Sequence, residues 1–150
     1  MTTTPLSRPR STGPVRLPSG WVPLDPAAPP DDLARGVPVP DGVLCAAAAP
    51  RVATSGTRPA LLLARGRAGV AVDPALLDED DDFVDDQGRT VRYRRWQAAA
   101  DLRTVCESWT WTDDDDVVTQ LLAAVDIADY STFTDLFEAV AESVDPDAAG

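Results

Sequence analysis

"TDDDDVVTQLLAAVDIADYSTFTDLFEAVAESVDP", residues 112–146, closes the chain with its clearest periodicity. Thr112 reads as a helix N-cap, with Asp113, Asp114, Asp115 and Asp116 in a first turn where the helix dipole favours negative charge. Val117, Val118, Leu121, Leu122 and Val125 then recur at helical spacing and form a buried stripe. After the short connection "DIADYS", a second helix starts at Ser131 or Thr132. It carries Phe133, Leu136, Phe137, Val140 and Val144 on one face and stops before Pro146. The spacing therefore predicts an antiparallel, acidic helical hairpin over 113–146, with 147–150 as a tail.

Immediately upstream, "QAAADLRTVCESWTWT" (97–112) supports two periods at once. Ala98, Leu102, Val105, Cys106 and Trp109 fit a helix, whereas Val105, Glu107, Trp109 and Trp111 alternate as in a strand. Thr, Val, Cys and Trp favour a pleated surface, so the expectation is a short helical turn at 97–102 and a strand at 104–111. Before it, "LLDEDDDFVDDQGRTVRYRRW" (76–96) sets seven acids against four arginines. Asp85-Asp86-Gln87-Gly88-Arg89 suits a type I turn followed by a left-handed Gly88, with Asp85 facing Arg89. That register puts Phe83 opposite Val91, Asp82 opposite Arg92 and Asp80 opposite Arg94. A calcium loop through Asp78, Asp80 and Asp82 fails, because Phe83 and Arg89 stand where that loop needs Gly and Glu.

From Gly42 onward, short apolar runs broken by Pro and Gly predict strands near 43–48, 60–65 and 69–72. Gly66-Arg67-Ala68-Gly69 resembles in form the G-x-x-G clamp of KH domains. In so acidic a chain the reading preferred is a turn between strands. Residues 1–40 hold ten of the 14 prolines, a density that denies the backbone the donors of helix or sheet interiors. They read as an extended basic arm in which Arg8, Arg10 and Arg16 precede the first acid, Asp25. Trp21, with Val22 and Leu24, forms an isolated anchor for a partner. The fold class expected is α+β: a small antiparallel sheet formed by a mainly β region at 41–112, in one domain with the C-terminal acidic helical hairpin and preceded by the extended Pro-rich arm.

Composition removes much familiar chemistry. The chain has no His, and all 13 of its basic side chains are Arg. No Ser-His or Cys-His relay, imidazole metal site, Schiff base or phosphate-loop lysine can be built. Cys45 and Cys106 lack any C-x-x-C arrangement and read as reduced thiols. No metal, cofactor or catalytic residue is expected, and the chain is read as a non-enzyme. The opening "MTTTPLSRPRSTG" has no apolar signal core and no window reaches transmembrane length, so the expected location is the cytoplasm, or the virion for a phage-encoded chain. The lack of Lys beside abundant Ala, Asp, Pro and Arg resembles GC-rich coding bias.

Charge is distributed unevenly. Residues 1–40 carry four Arg against three acids, 41–112 nine against eleven, and 113–150 none against eleven, which accounts for the net −12. Such a surface repels nucleic acid and anionic membranes and attracts basic partners. The function expected is a structural or adaptor protein that works through protein contacts, as in a subunit or assembly factor of a phage or viral particle. Arg8, Arg10, Arg16 and Trp21 are the arm's contacts, and Asp113 to Asp116 receive a basic protein surface, that of another subunit or of a second copy. The competing expectation is an acidic, antitoxin-like inhibitor that blocks a basic nucleic-acid-binding cleft. A third, high-salt adaptation, would make the acidity solvational.

Overall fold

Between Val118 and Val125 the chain carries no charge, and apart from Gln120 its residues are apolar or small on both phases, as in a strand covered on both faces. The computed structural model describes residues 14–34, 39–51, 54–98 and 102–148. In chain order it contains β1 (Val22–Pro23), β2 (Val43–Ala48), β3 (Ala60–Gly66), β4 (Leu77–Val84), β5 (Thr90–Gln97), β6 (Thr104–Thr112), β7 (Val118–Asp126) and α1 (Tyr130–Glu142). The seven strands form one sheet in the order β1-β2-β3-β7-β6-β5-β4, with every neighbour antiparallel.

The helical hairpin expected over 113–146 is thus corrected in its first half. Only the second helix forms, and 118–126 is the central strand. The apolar stripe was real but belongs to two surfaces: Leu121, Ala123 and Val125 join one core cluster, while Leu122 joins the other. A helix would have shown half of that run to water. The four aspartates form the β6–β7 turn instead of a helix start. Asp113 Oδ1 accepts hydrogen bonds from the amides of Asp115 (2.8 Å) and Val117 (3.0 Å), and Asp116 turns the chain in the left-handed region at φ 62°.

Elsewhere the spacing places elements closely. The β4–β5 hairpin pairs Phe83 with Val91, Asp82 with Arg92 and Asp80 with Arg94. Its turn closes through the Gly88 amide on the Asp85 carbonyl (3.0 Å), with Gly88 at φ 79°. Asp80 takes Arg92 through two hydrogen bonds of 2.9 and 2.8 Å, a diagonal partner rather than the one directly opposite. The strand expected at 69–72 is absent. Those residues lie across the sheet, where the Val70 amide donates to Gln120 Oε1 (2.9 Å) and Val70 and Val72 cover Trp96, Cys106 and Leu122. Gly69 serves this crossing, since a Cβ there would stand 2.8 Å from Gln120 Nε2. Of the helical turn expected at 97–102, Gln97 ends β5 and 99–101 lie outside the described residues.

The larger core lies between the sheet and α1, where Phe137, Val140, Ala141 and Val144 meet Leu61, Leu63, Trp109, Leu121 and Val125. Val15, Leu17 and Trp21 pack against the same cluster. The Asp145 amide donates to the Pro14 carbonyl (2.7 Å), and the Arg16 amide donates to Ser143 Oγ (2.9 Å). Farther on, Pro26, Pro30, Leu33 and Ala34 meet Leu62 and Leu122 around a small apolar cavity, and Asp32 holds Arg58 through two hydrogen bonds of 3.0 and 2.9 Å. Residues 14–34 are therefore a belt around their own domain, which corrects the free-arm expectation for that part. Proline kept the belt out of helix but left its apolar side chains available to pack.

Candidate functional site

Seven strands at about 4.8 Å spacing span roughly 30 Å, whereas one helix with its side chains is about 10 Å wide. Helix α1 packs against β7, and the belt joins the same core. Strands β4 and β5 extend past this cover, leaving a cleft of about 710 Å³ between them, β6 and α1. That volume lies within the range of ligand pockets, about 300–1,000 Å³.

Alternation in the strands supplies the lining. Val91, Tyr93 and Arg95 of β5 and Glu107, Trp109 and Trp111 of β6 face the helix side, as do Glu79, Asp81 and Phe83 of β4. The helix adds Tyr130, Glu138 and Glu142. Counting Asp82 and Asp85, seven acidic residues and one basic residue, Arg95, line the space among the described residues.

Glu107 stands apart from the other acids, since it is only 3% exposed. The hydroxyls of Tyr93 and Tyr130, the latter at 3.3 Å, both donate to its Oε2. Its Oε1 is buried and has no partner. Leaving a buried carboxylate oxygen without a donor costs about 1–3 kcal/mol, and more when the group is charged. Burial accordingly pushes the Glu107 carboxyl above its ordinary range, against the opposing pull of the two phenols and Arg95. Burial and the neighbouring carboxylate push the Tyr93 phenol up as well, so it stays a donor. Arg95 stacks over the Tyr130 ring, 5.8 Å from its centroid, and reaches Glu79 at 3.3 Å. Tyr93 and Trp109 pack with ring centroids 5.3 Å apart. A carboxyl raised by burial suits a general acid or a counter-ion to a cation. The unpartnered acceptor, aromatic walls and acidic rim together suit a cation.

No family model and no curated protein matches the sequence. The fold does have a counterpart. The chain is similar to the solution structure of cyanobacterial PsbP (CyanoP) from Synechocystis sp. PCC 6803, with a TM-score of 0.53 at 12% identity, over 84% of this chain and 81% of that one. At that identity the likeness is one of fold alone, an antiparallel sheet with a C-terminal helix.

The residues singled out from sequence lie elsewhere. Arg8 and Arg10 fall outside the described residues. Arg16 is exposed beside the end of α1, and Trp21 is half-buried against the core. Asp113 to Asp116 form the β6–β7 turn, where Asp113 also meets Arg65 at 3.4 Å. None of the described ones lines the acidic cleft. The cleft residues that were missed carried one signal: Glu107 is a lone acid in the apolar phase of "TVCESWTWT". Among the described residues no cluster of metal-ligating side chains occurs, and no helix is long and apolar enough to cross a membrane.

Proposed function

We propose that this protein is a non-catalytic binding module that works through protein contacts and holds a basic segment of a partner in the cleft between β4–β6 and α1. One observation carries the reading: among the described residues, seven acidic residues and one basic residue line a ligand-sized space that includes a buried acid with an unpartnered oxygen. Anionic walls of low dielectric focus the field and draw in cations. The adaptor role read from composition is kept in this form, with the docking surface moved from the aspartate turn to the cleft.

The inhibitor reading draws support from the alternate acids Asp78, Asp80 and Asp82 on exposed β4, whose regular spacing imitates a charged backbone. Their neutralisation weakens it, because Arg92 and Arg94 pair with Asp80 and Arg95 lies 4.0 Å from Asp78.

Trp109 and Trp111 line the cleft, so their fluorescence reports occupancy. Titration with a 12-residue basic peptide is expected to give saturable binding that weakens severalfold between about 50 and 500 mM salt. Glu138→Gln combined with Glu142→Gln should lower affinity about tenfold, while Asp114→Asn combined with Asp115→Asn should leave it within about twofold. Equal losses from both pairs, or no saturable binding, would overturn the assignment.

A further inference from the structure

The rim acids give the cleft its charge, but Glu107 gives it a chemical preference. Its carboxyl lies at the floor with Oε2 occupied by two phenol donors and Oε1 unmet. Oε1 is closed to solvent, so an N–H or O–H donor completes it only as the surrounding side chains of Tyr93, Trp109 and Tyr130 give way. An ammonium group is a compact, strongly hydrated point charge with no planar face to stack on these rings. A guanidinium is planar, weakly hydrated and stacks on aromatic faces, so it enters such a space at lower desolvation cost. The cleft already holds one in this manner, since Arg95 lies over Tyr130 with Nη1 3.4 Å from the phenol oxygen.

We propose that Glu107 is the specificity-determining residue of the cleft and takes one arginine side chain of the bound segment on Oε1, selecting arginine over lysine. This rests on the cleft being the binding site. The groups facing Glu107 are Tyr93 and Arg95 from β5, Tyr130 and Glu138 from α1, and Glu79 and Asp81 from β4. The nearest donors leave Oε1 unmet, and burial holds this carboxyl above its ordinary range in the empty cleft. Seating a guanidinium pairs that cation with the carboxylate, and the proton displaced passes to solvent. Arginine binding is therefore accompanied by proton release.

The test uses the full chain and three 12-residue peptides that differ only in carrying Arg, Lys or citrulline at their basic positions. Affinity is read from tryptophan fluorescence, and proton release from calorimetry in two buffers of different ionisation heat at one pH. The arginine peptide is expected to bind about tenfold tighter than the lysine peptide and to release protons, and the citrulline peptide to bind weakest. Glu107→Gln should abolish both the preference and the proton release while salt-sensitive binding through the rim persists. If that variant does not fold, Glu107→Asp withdraws the carboxylate by one methylene and should cut the preference to within about threefold. Equal affinity of the arginine and lysine peptides for the wild type, or a preference surviving at full strength in both variants, would refute the Glu107 socket and leave the acidic-cleft reading standing. Failure of both cationic peptides to bind would overturn that reading and this inference together.

Discussion

Glu107 occupies a phase of β6 in which Val105, Trp109 and Trp111 are all buried, so its ionisation is linked to folding. Its carboxyl is raised from the ordinary 4.5, chiefly by burial. Between 4.5 and that raised value the folded chain holds a proton that the unfolded chain has released. Stability contributed by this group is therefore complete at low pH and lost as pH climbs through the window. Asp32, Asp80, Asp85 and Asp113 are lowered and impose the opposite slope, but they are common to wild type and variant and cancel in a difference. Glu107→Gln should thus gain on the wild type as pH rises, with the difference in thermal midpoint growing by several degrees between about pH 4.5 and 8. Midpoints that stay parallel across that range would show that Glu107 does not ionise in a buried state. At this scale the site was half legible. A lone acid within an apolar alternation marks a buried carboxyl, but its phenol partners come from β5 and α1, at separations of 14 and 23 residues that no local pattern encodes.

At the scale of elements, the hairpin was legible and the central strand was not. Register in β4–β5 follows from local rules, since the turn residues set the offset and each cross-strand pair follows by counting. Strand β7 failed the same treatment because a strand buried on both faces presents a continuous apolar run, and such a run offers a helical stripe as well as an alternation. The telling absence was of charge from Val117 to Val125, whereas a helix on a domain surface needs a polar face. Asp116 separates the two readings experimentally. As the left-handed residue of a turn at φ 62° it pays a backbone penalty that glycine avoids. Asp116→Gly should stabilise by about 0.5–1 kcal/mol, a rise of roughly 1–4 °C in thermal midpoint for a chain of this size. In the first turn of a helix the same change would instead destabilise, by roughly 0.3 kcal/mol in propensity plus about 0.3–1 kcal/mol of lost charge–dipole interaction. A lower midpoint, measured by calorimetry, would therefore restore the helix.

For the whole molecule, the question is what the proline-rich start of the chain does. Its composition sets backbone conformation, because prolines exclude it from helix and sheet interiors, but not whether an extended segment reaches outward or wraps. The wrapping follows from apolar side chains that recur in it, Val15, Leu17 and Trp21 on the helix side and Leu33 and Ala34 farther along, each placed where the sheet has uncovered core. Bonds from Asp145 to Pro14 and between Arg16 and Ser143 fasten the belt to the far end of α1. Its first described residue is thereby held beside Val144, which lines the acidic cleft. A reaching arm would leave stability indifferent to Trp21, since the ring would have no core in its own domain. A belt makes the ring part of the main cluster, although its half-exposure keeps the effect below the 3–5 kcal/mol of a fully buried Trp→Ala change. Trp21→Ala should accordingly cost about 2 kcal/mol, read as a lower denaturant midpoint at unchanged slope. Affinity of the folded variant for a basic peptide should stay within about twofold, because Trp21 does not line the cleft. An unchanged midpoint together with lost peptide binding would reverse the assignment and return Trp21 to a partner contact.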